Sequence, residues 1–296
     1  MKNNLRILAL CLVGMFAVNC SSDDNSITEP GKEEVDPGIE IKELKVIDNF
    51  VYSSYDNEKH IEDITITFFY NEDGTVNNTE EITKSFDGKN EVEKEILTYT
   101  YENNLPFAMT LETYTTDKKY EYWDLQYIYE NNRIVKADAI TNETEGNKSL
   151  YSFYYNPKGQ LIRTKNSTDK TDQETTYKYD DRGNLIEVNS NGIIELITYD
   201  DKKSPYTNMN ISDQAYSIEF FETEEQFLIR SPHNVTGTTF DYKPSDQTYN
   251  DKFTHQNTYD KDDYLETSTV ISTVNNRGKV SEIKYTYKTI KVLVKK

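Results

Sequence analysis

An aromatic-x-Tyr step followed by a polar turn recurs along this chain, and it limits the fold more than any other feature. It appears as Phe68-Phe69-Tyr70-Asn71-Glu72-Asp73-Gly74, as Tyr99-Thr100-Tyr101-Glu102-Asn103-Asn104, and as Tyr127-Ile128-Tyr129-Glu130-Asn131-Asn132. It returns as Phe153-Tyr154-Tyr155-Asn156-Pro157-Lys158-Gly159 and Tyr177-Lys178-Tyr179-Asp180-Asp181-Arg182-Gly183. Weaker copies end at Tyr199, Tyr259 and Tyr287. An Asx three places before a Gly suits a type I turn closed by a left-handed residue, which joins antiparallel strands. Asn275-Asn276-Arg277-Gly278 has the same form, and Asp87-Gly88 and Asn191-Gly192 supply turns between the anchors. Tyr177 and Tyr179 share one face opposite Lys178, and Tyr127 and Tyr129 share one opposite Ile128, which is the period of a strand.

Eight anchors at two strands each give about 16 strands, more than an open twisted sheet holds without curling. The expected fold is therefore all-β: a long antiparallel meander of hairpin repeats over 41–296, forming a curled single sheet or open barrel. Its inner face should be rich in Tyr and its outer face in Lys, Glu and Thr, with short, protected edge strands. Residues 207–236 interrupt the pattern. Ser212 can cap a short helix near 213–230, ended by Ser231-Pro232, before a strand from Val235 to Tyr242.

The decapeptide 177–186, Tyr-Lys-Tyr-Asp-Asp-Arg-Gly-Asn-Leu-Ile, resembles the YD repeat of Rhs-type cell-surface proteins, and 153–162 resembles it with Asn156 in place of Asp. The resemblance implies a curved β shell, or a surface that faces glycans or proteins.

The first residues carry an address. Lys2 and Arg6 precede an apolar run from Ile7 to Val18, too short for a membrane-spanning helix, which needs roughly 20 residues. Ala17-Val18-Asn19-Cys20 followed by Ser21-Ser22-Asp23-Asp24 resembles a lipoprotein signal with the acidic export stretch of Bacteroidota surface lipoproteins. That resemblance implies cleavage of 1–19, acylation of Cys20, and outer-membrane attachment facing the cell exterior. Residues 20–40 are acidic and poor in large apolar groups, so they read as a flexible tether.

The charge balance and residue counts exclude several functions. With 33 Lys+Arg against 52 Asp+Glu and a net charge of −19, the chain has nothing to neutralise nucleic-acid phosphates. His60, His233 and His255 lack metal-pair spacing, and the acidic turns at Asn71–Gly74 and Asp260–Asp263 lack the ligand set of a calcium loop. No nucleophile elbow, phosphate loop or cofactor motif is present. The reading is a non-catalytic binding or structural module without metal or cofactor. Its partners would be the membrane, through the lipid, and a glycan or cell-surface protein. The 24 Tyr suit strand packing. Trp123, the single Trp, with Tyr120 and Tyr122 beside it, is the candidate ligand platform. A glycan-binding protein for polysaccharide capture is the sharper alternative, and a glycan-active enzyme using a carboxylate pair the third.

Overall fold

The computed structural model describes residues 39–86, 92–103, 105–115, 118–141, 148–168, 171–190, 192–209, 231–242, 251–274 and 278–295. Cys20, the tether, the Asp87-Gly88 turn and the expected helix near 213–230 lie outside them. The strands run in chain order: β1 (Ile39–Asp56), β2 (Lys59–Tyr70), β3 (Val76–Ser85), β4 (Val92–Glu102) and β5 (Leu105–Thr115). Next come β6 (Lys118–Glu130), β7 (Arg133–Thr141), β8 (Lys148–Tyr155), β9 (Leu161–Ser167), β10 (Asp172–Tyr179) and β11 (Leu185–Ser190). The last are β12 (Ile193–Lys203), β13 (His233–Tyr242), β14 (Lys252–Tyr259), β15 (Leu265–Ser272) and β16 (Gly278–Lys295).

Every strand pairs antiparallel with its neighbour in sequence, and β1 pairs with β16, so the meander closes into a barrel. The expected short edge strands do not exist, because closure removes edges altogether. β1 and β16 are instead the longest strands, 18 residues each. They pair from Ile39↔Lys295 to Ser54↔Ser281 and join β2 and β15 only over their inner parts. Their outer parts form a two-stranded ribbon that folds over the first Asx turn. Val292, 2% exposed, packs there, and a Cβ on Gly74 would stand 2.8 Å from Val292 Cγ1.

Each even-numbered strand carries an anchor Tyr, and the turns that follow gather at one end of the barrel, the Tyr rim. The Asx turns take the expected geometry: Gly74, Gly159 and Gly183 have φ of 83°, 88° and 91°. Their amides donate to Asn71, Asn156 and Asp180 carbonyls at 3.0, 2.9 and 3.1 Å. At Asp260–Asp263 the same turn forms without Gly, with Asp263 at φ 65° and the Tyr264 amide donating to Asp260 Oδ1 at 3.1 Å. The hairpin at Asn131-Asn132 uses two left-handed Asn, φ 51° and 61°. Gly278, φ 72°, lies at the opposite end, the far rim.

The alternation read from the sequence holds. Tyr127 and Tyr177 are buried beneath exposed Ile128 and Lys178. Next to the Tyr rim, Phe50, Phe68, Leu97, Tyr99, Met109 and Leu125 belong to one continuous buried cluster. A round barrel of 16 strands would leave an aqueous channel. In this half, side chains fill it.

Candidate functional site

The anchor tyrosines form a ring that seals the Tyr rim. All but one of the phenols reach across the inner wall and donate to a backbone carbonyl of a preceding strand: Tyr70 to Ile47, Tyr101 to Val76, Tyr129 to Pro106 and Tyr155 to Ile134. Tyr179 donates to Leu161, Tyr199 to Leu185 and Tyr287 to Leu265, and the seven distances run from 2.5 to 2.9 Å. Burial pushes the phenols of Tyr70, Tyr101, Tyr129, Tyr199 and Tyr287 well above the usual tyrosine range, so they stay protonated donors. Tyr259 is the exception and donates to the Asp200 carboxylate. The carbonyl it would otherwise meet, that of Val235, accepts from Asn257 Nδ2 at 2.9 Å.

After β12 the repeat is interrupted. Residues 204–209 make consecutive turns rather than strand, with Thr207 and Met209 amides donating to Ser204 and Tyr206 carbonyls at 3.1 and 3.0 Å. Tyr206 and Met209 join the buried cluster. Asn208 donates to the Lys45 carbonyl at 3.0 Å and to Tyr264 Oη at 2.6 Å. Burial opposes the charge of Lys45, yet its hydrogen bonds to Asp260 and Asp262 hold its pKa above the usual lysine value. Residues 204–209 are therefore a plug, and the Tyr rim is structural.

Toward the far rim the inner wall changes character. Counting inward by twos from the anchors, β2 presents Ile66, Ile64 and Glu62, β3 presents Thr79, Glu81 and Thr83, and β4 presents Leu97, Glu95 and Glu93. Glu81 is the direct cross-strand partner of Glu95, and Thr83 of Glu93. Thr83 Oγ1 donates to Glu81 Oε1 at 3.2 Å and Thr113 Oγ1 to Glu95 Oε1 at 3.1 Å. Burial, then repulsion from Glu95, Glu93 and Glu62, raises the Glu81 pKa to about 7. On the other side of the β1–β16 seam the wall carries Glu195, Thr238, His255, Ser268 and Ser281. His255 Nδ1 lies 3.4 Å from Ser268 Oγ, and burial lowers the His255 pKa to about 4, so the ring is neutral at pH 7. The expected Tyr-rich inner face thus holds for the Tyr half only.

The outer face carries the ion pairs. Lys94 meets Glu80 at 3.0 Å, Lys165 meets Asp172 at 2.7 Å, Lys178 meets Glu187 at 2.7 Å and Lys284 meets Glu282 at 2.7 Å. Membrane-spanning barrels show the reverse, an apolar band outside and polar groups within. On this wall the ion pairs stand beside exposed apolar side chains, Ile128, Ile140 and Leu196 among them.

The candidate platform falls in the far half of β6. Register sets Trp123 between Leu111 and Thr141, and Tyr122 opposite Glu112. The side chains of Tyr120, Tyr122 and Trp123 lie outside the described residues. His60 does not approach His255. It stands on the outer face, 2.7 Å from Asp63 Oδ1 and in tilted ring contact with Tyr55 and Phe86. His233 bonds Asn184 at 2.9 Å near the plug. Among the described residues no group of His, Cys, Asp or Glu has the arrangement to hold a metal ion.

A closed antiparallel barrel, built from Tyr-anchored hairpins and sealed at one end, is the class these features define. Residues 155–193 match the family model described as RHS Repeat, so the YD-repeat resemblance holds over the two best-formed copies. Among solved structures the barrel is similar to a porin-like protein from Bacteroides uniformis, with 12% identity and a TM-score of 0.52. The match covers 82% of this chain and 96% of that one. A porin-like protein from Bacteroides vulgatus matches at 12% identity and a TM-score of 0.39, over 83% and 99% of the two chains. The first likeness supports the fold. No curated protein matches the chain.

Proposed function

We propose that this chain is a lipid-anchored surface protein whose barrel is a non-catalytic binding module, receiving its ligand in the far half of its interior. The observation that carries the reading is the polarity of the wall: charged pairs outside, a sealed apolar interior at the Tyr rim, and half-buried polar groups inside the far half. On this reading Cys20, and not the barrel wall, supplies the membrane attachment, which the ion pairs on the outer face support. Two or more acyl chains hold a protein stably at a membrane. β1 begins at the Tyr rim, so the chain enters the barrel at its sealed end.

The test is fractionation. A Cys20→Ser chain should leave the membrane fraction with its barrel intact by circular dichroism, whereas unchanged membrane partition would remove the anchor from the account. The sharper reading, glycan capture on β6, rests on the run Tyr120-Glu121-Tyr122-Trp123 and on its backbone placement in the far half. A glycan screen would support it through binding in the μM to mM range that is lost in Trp123→Ala. Binding that survives the substitution would move the glycan site elsewhere.

A further inference from the structure

Seven strand pairs repeat one outer-face position beside the Tyr rim. In each, the residue before the anchor Tyr points outward, and a bulge at the start of the following strand turns a second side chain outward next to it. Thr198 with Thr236, and Thr258 with Glu266, show that polar residues serve the fold there. From β5 to β9 the position is instead apolar on five adjacent strands, as Phe107, Ile128, Val135, Tyr154 and Ile162. The flanking pairs are mixed, Phe69 with Asn77 and Lys178 with Ile186. Phe107, Ile128, Tyr154 and Ile162 are 37–44% exposed. With strands about 4.8 Å apart, the arc is about 19 Å wide. Exposed apolar residues scattered singly are ordinary, whereas a contiguous run rimmed by polar groups marks a contact surface. Because Thr fills the same place elsewhere in the repeat, folding does not demand this run.

Charge supplies a second, independent observation. Arg133, Lys136 and Lys158 lie along the same arc and are exposed. None of them pairs with a carboxylate among the described residues, unlike the outer-face Lys94, Lys165, Lys178 and Lys284. Arg133 places its guanidinium 5.6 Å from the Tyr155 ring centre. Arg163 lies 3.8 Å from that of Tyr154 and also meets Glu174 at 3.6 Å. Glu102 and Glu130 end β4 and β6 at this rim. The turns farther round it are acidic, at Glu72-Asp73, Asp180-Asp181 and Asp260–Asp263. A chain of net charge −19 thus sets three unpaired cations beside its contiguous apolar arc. The chain also enters the barrel at this rim, at Ile39.

We propose that this arc docks on a lipid bilayer: its five apolar side chains enter the head-group layer while Arg133, Lys136 and Lys158 meet anionic lipid phosphates. This rests on the lipid-anchor reading and adds which face of the barrel meets the membrane. Cys20 supplies the attachment, and the arc sets how the barrel rests on the lipid. Aromatic and aliphatic tips beside long basic side chains suit that layer, because the apolar parts leave water while the charged ends stay in it. The acidity of the whole chain opposes this little, since charges more than about 8 Å from the surface are screened at physiological salt.

The test is flotation of residues 21–296, which keep all sixteen strands, with excess vesicles of phosphatidylcholine and phosphatidylglycerol or of phosphatidylcholine alone. Without Cys20 the flotation reads the barrel itself. Binding to the mixed vesicles should be about threefold tighter than to the neutral ones. The triple variant Phe107→Thr/Ile128→Thr/Tyr154→Thr installs the residue that β12, β13 and β14 carry at this position, and it should weaken binding about tenfold. Leu196→Thr, at a 46% exposed position on β12, should bind as the parent does. Fluorescence of Ile128→Trp, read against the parent, should be quenched by brominated acyl chains, and that of Leu196→Trp should not. Thermal melts of each variant check that the barrel is folded. No flotation of the parent, or flotation unchanged by the triple substitution, would overturn the docking arc. Equal quenching at both sites would also overturn it, in favour of a barrel inserted around its whole wall. If the arc failed while Cys20→Ser still released the full chain from the membrane fraction, the lipid anchor would stand without it. If the arc held while Cys20→Ser released nothing, the anchor would fall and the arc would remain.

Discussion

The same sixteen strands build two unlike interiors. Near the Tyr rim, large side chains such as Phe50 and Phe68 are 1% exposed, seven phenols tie wall to backbone, and residues 204–209 close the end. In the far half the inward positions mix Glu, Ser, Thr and His with apolar groups such as Ile64 and Val270, and the acids on β2 to β4 are half-buried. A strand thus contributes stability from its Tyr end and carries polar groups at the other. Under the proposed function, the repeat keeps one end constant for folding and leaves the opposite end to vary for recognition, as loops do on other scaffolds.

The largest contrast should come from core truncation. Phe68→Ala should cost about 3–5 kcal/mol, whereas Leu111→Ala, half-buried in the far half, should cost about 1–2, both read from denaturant midpoints. Equal losses would mean that the far half is packed as tightly as the other.

The turn glycines give the next test. Gly74→Ala meets both a left-handed backbone and the Val292 methyl, while Gly183→Ala at φ 91° meets open space. The first should cost about 2–3 kcal/mol and the second about 1. A similar cost at both sites would show that the β1–β16 ribbon does not hold the first turn.

Within the ring, Tyr179→Phe removes one hydrogen bond to the Leu161 carbonyl and should cost about 1 kcal/mol, with the same loss at Tyr70. Costs near zero at both would reduce the ring to packing alone.

The smallest effects depend on pH and should map to the far half. The folded-state pKa of Glu81, about 7, lies above its unfolded value. Its ionisation therefore opposes folding, and stability falls as pH rises from about 4.5 through 7. Glu81→Gln should raise stability by about 1–2 kcal/mol at pH 8 and leave it unchanged at pH 4. His255 has the opposite sign. Its folded pKa, about 4, lies below the unfolded 6.5, so its contribution is lost as pH falls from 6.5 toward 4, and His255→Gln should flatten that limb. Melting curves from pH 4 to 8 would read both.

Much of this fold is legible in the residues. The anchors Tyr70 to Tyr287 mark the even strands, the Asx turns fix their ends, and the alternation around Tyr127 and Tyr177 assigns inside and outside correctly. Closure is not legible, because pairing Ile39 with Lys295 depends on summed twist over the whole sheet rather than on any local signal. The inner acids have a signal that composition hides. Glu93 and Glu95 keep the phase of Leu97 and Tyr99, and Glu195 keeps that of Ile197 and Tyr199. Counting back by twos from each anchor puts them inside, although Glu as a residue type reads as outer face. Tyr259 shows the limit in the other direction: its sequence matches the other anchors, but its phenol meets the Asp200 carboxylate on β12 instead of a backbone carbonyl.

Amide hydrogen exchange resolved along single strands tests the two-interior account most directly. Exchange through local opening follows local packing, so protection should change within one strand. Amides of 66–70, 97–101 and 175–179 should exchange at least tenfold more slowly than those of 59–63, 92–95 and 172–174. Uniform protection from end to end, or stronger protection toward the far rim, would contradict the division of the barrel into a sealed structural half and an adaptable binding half.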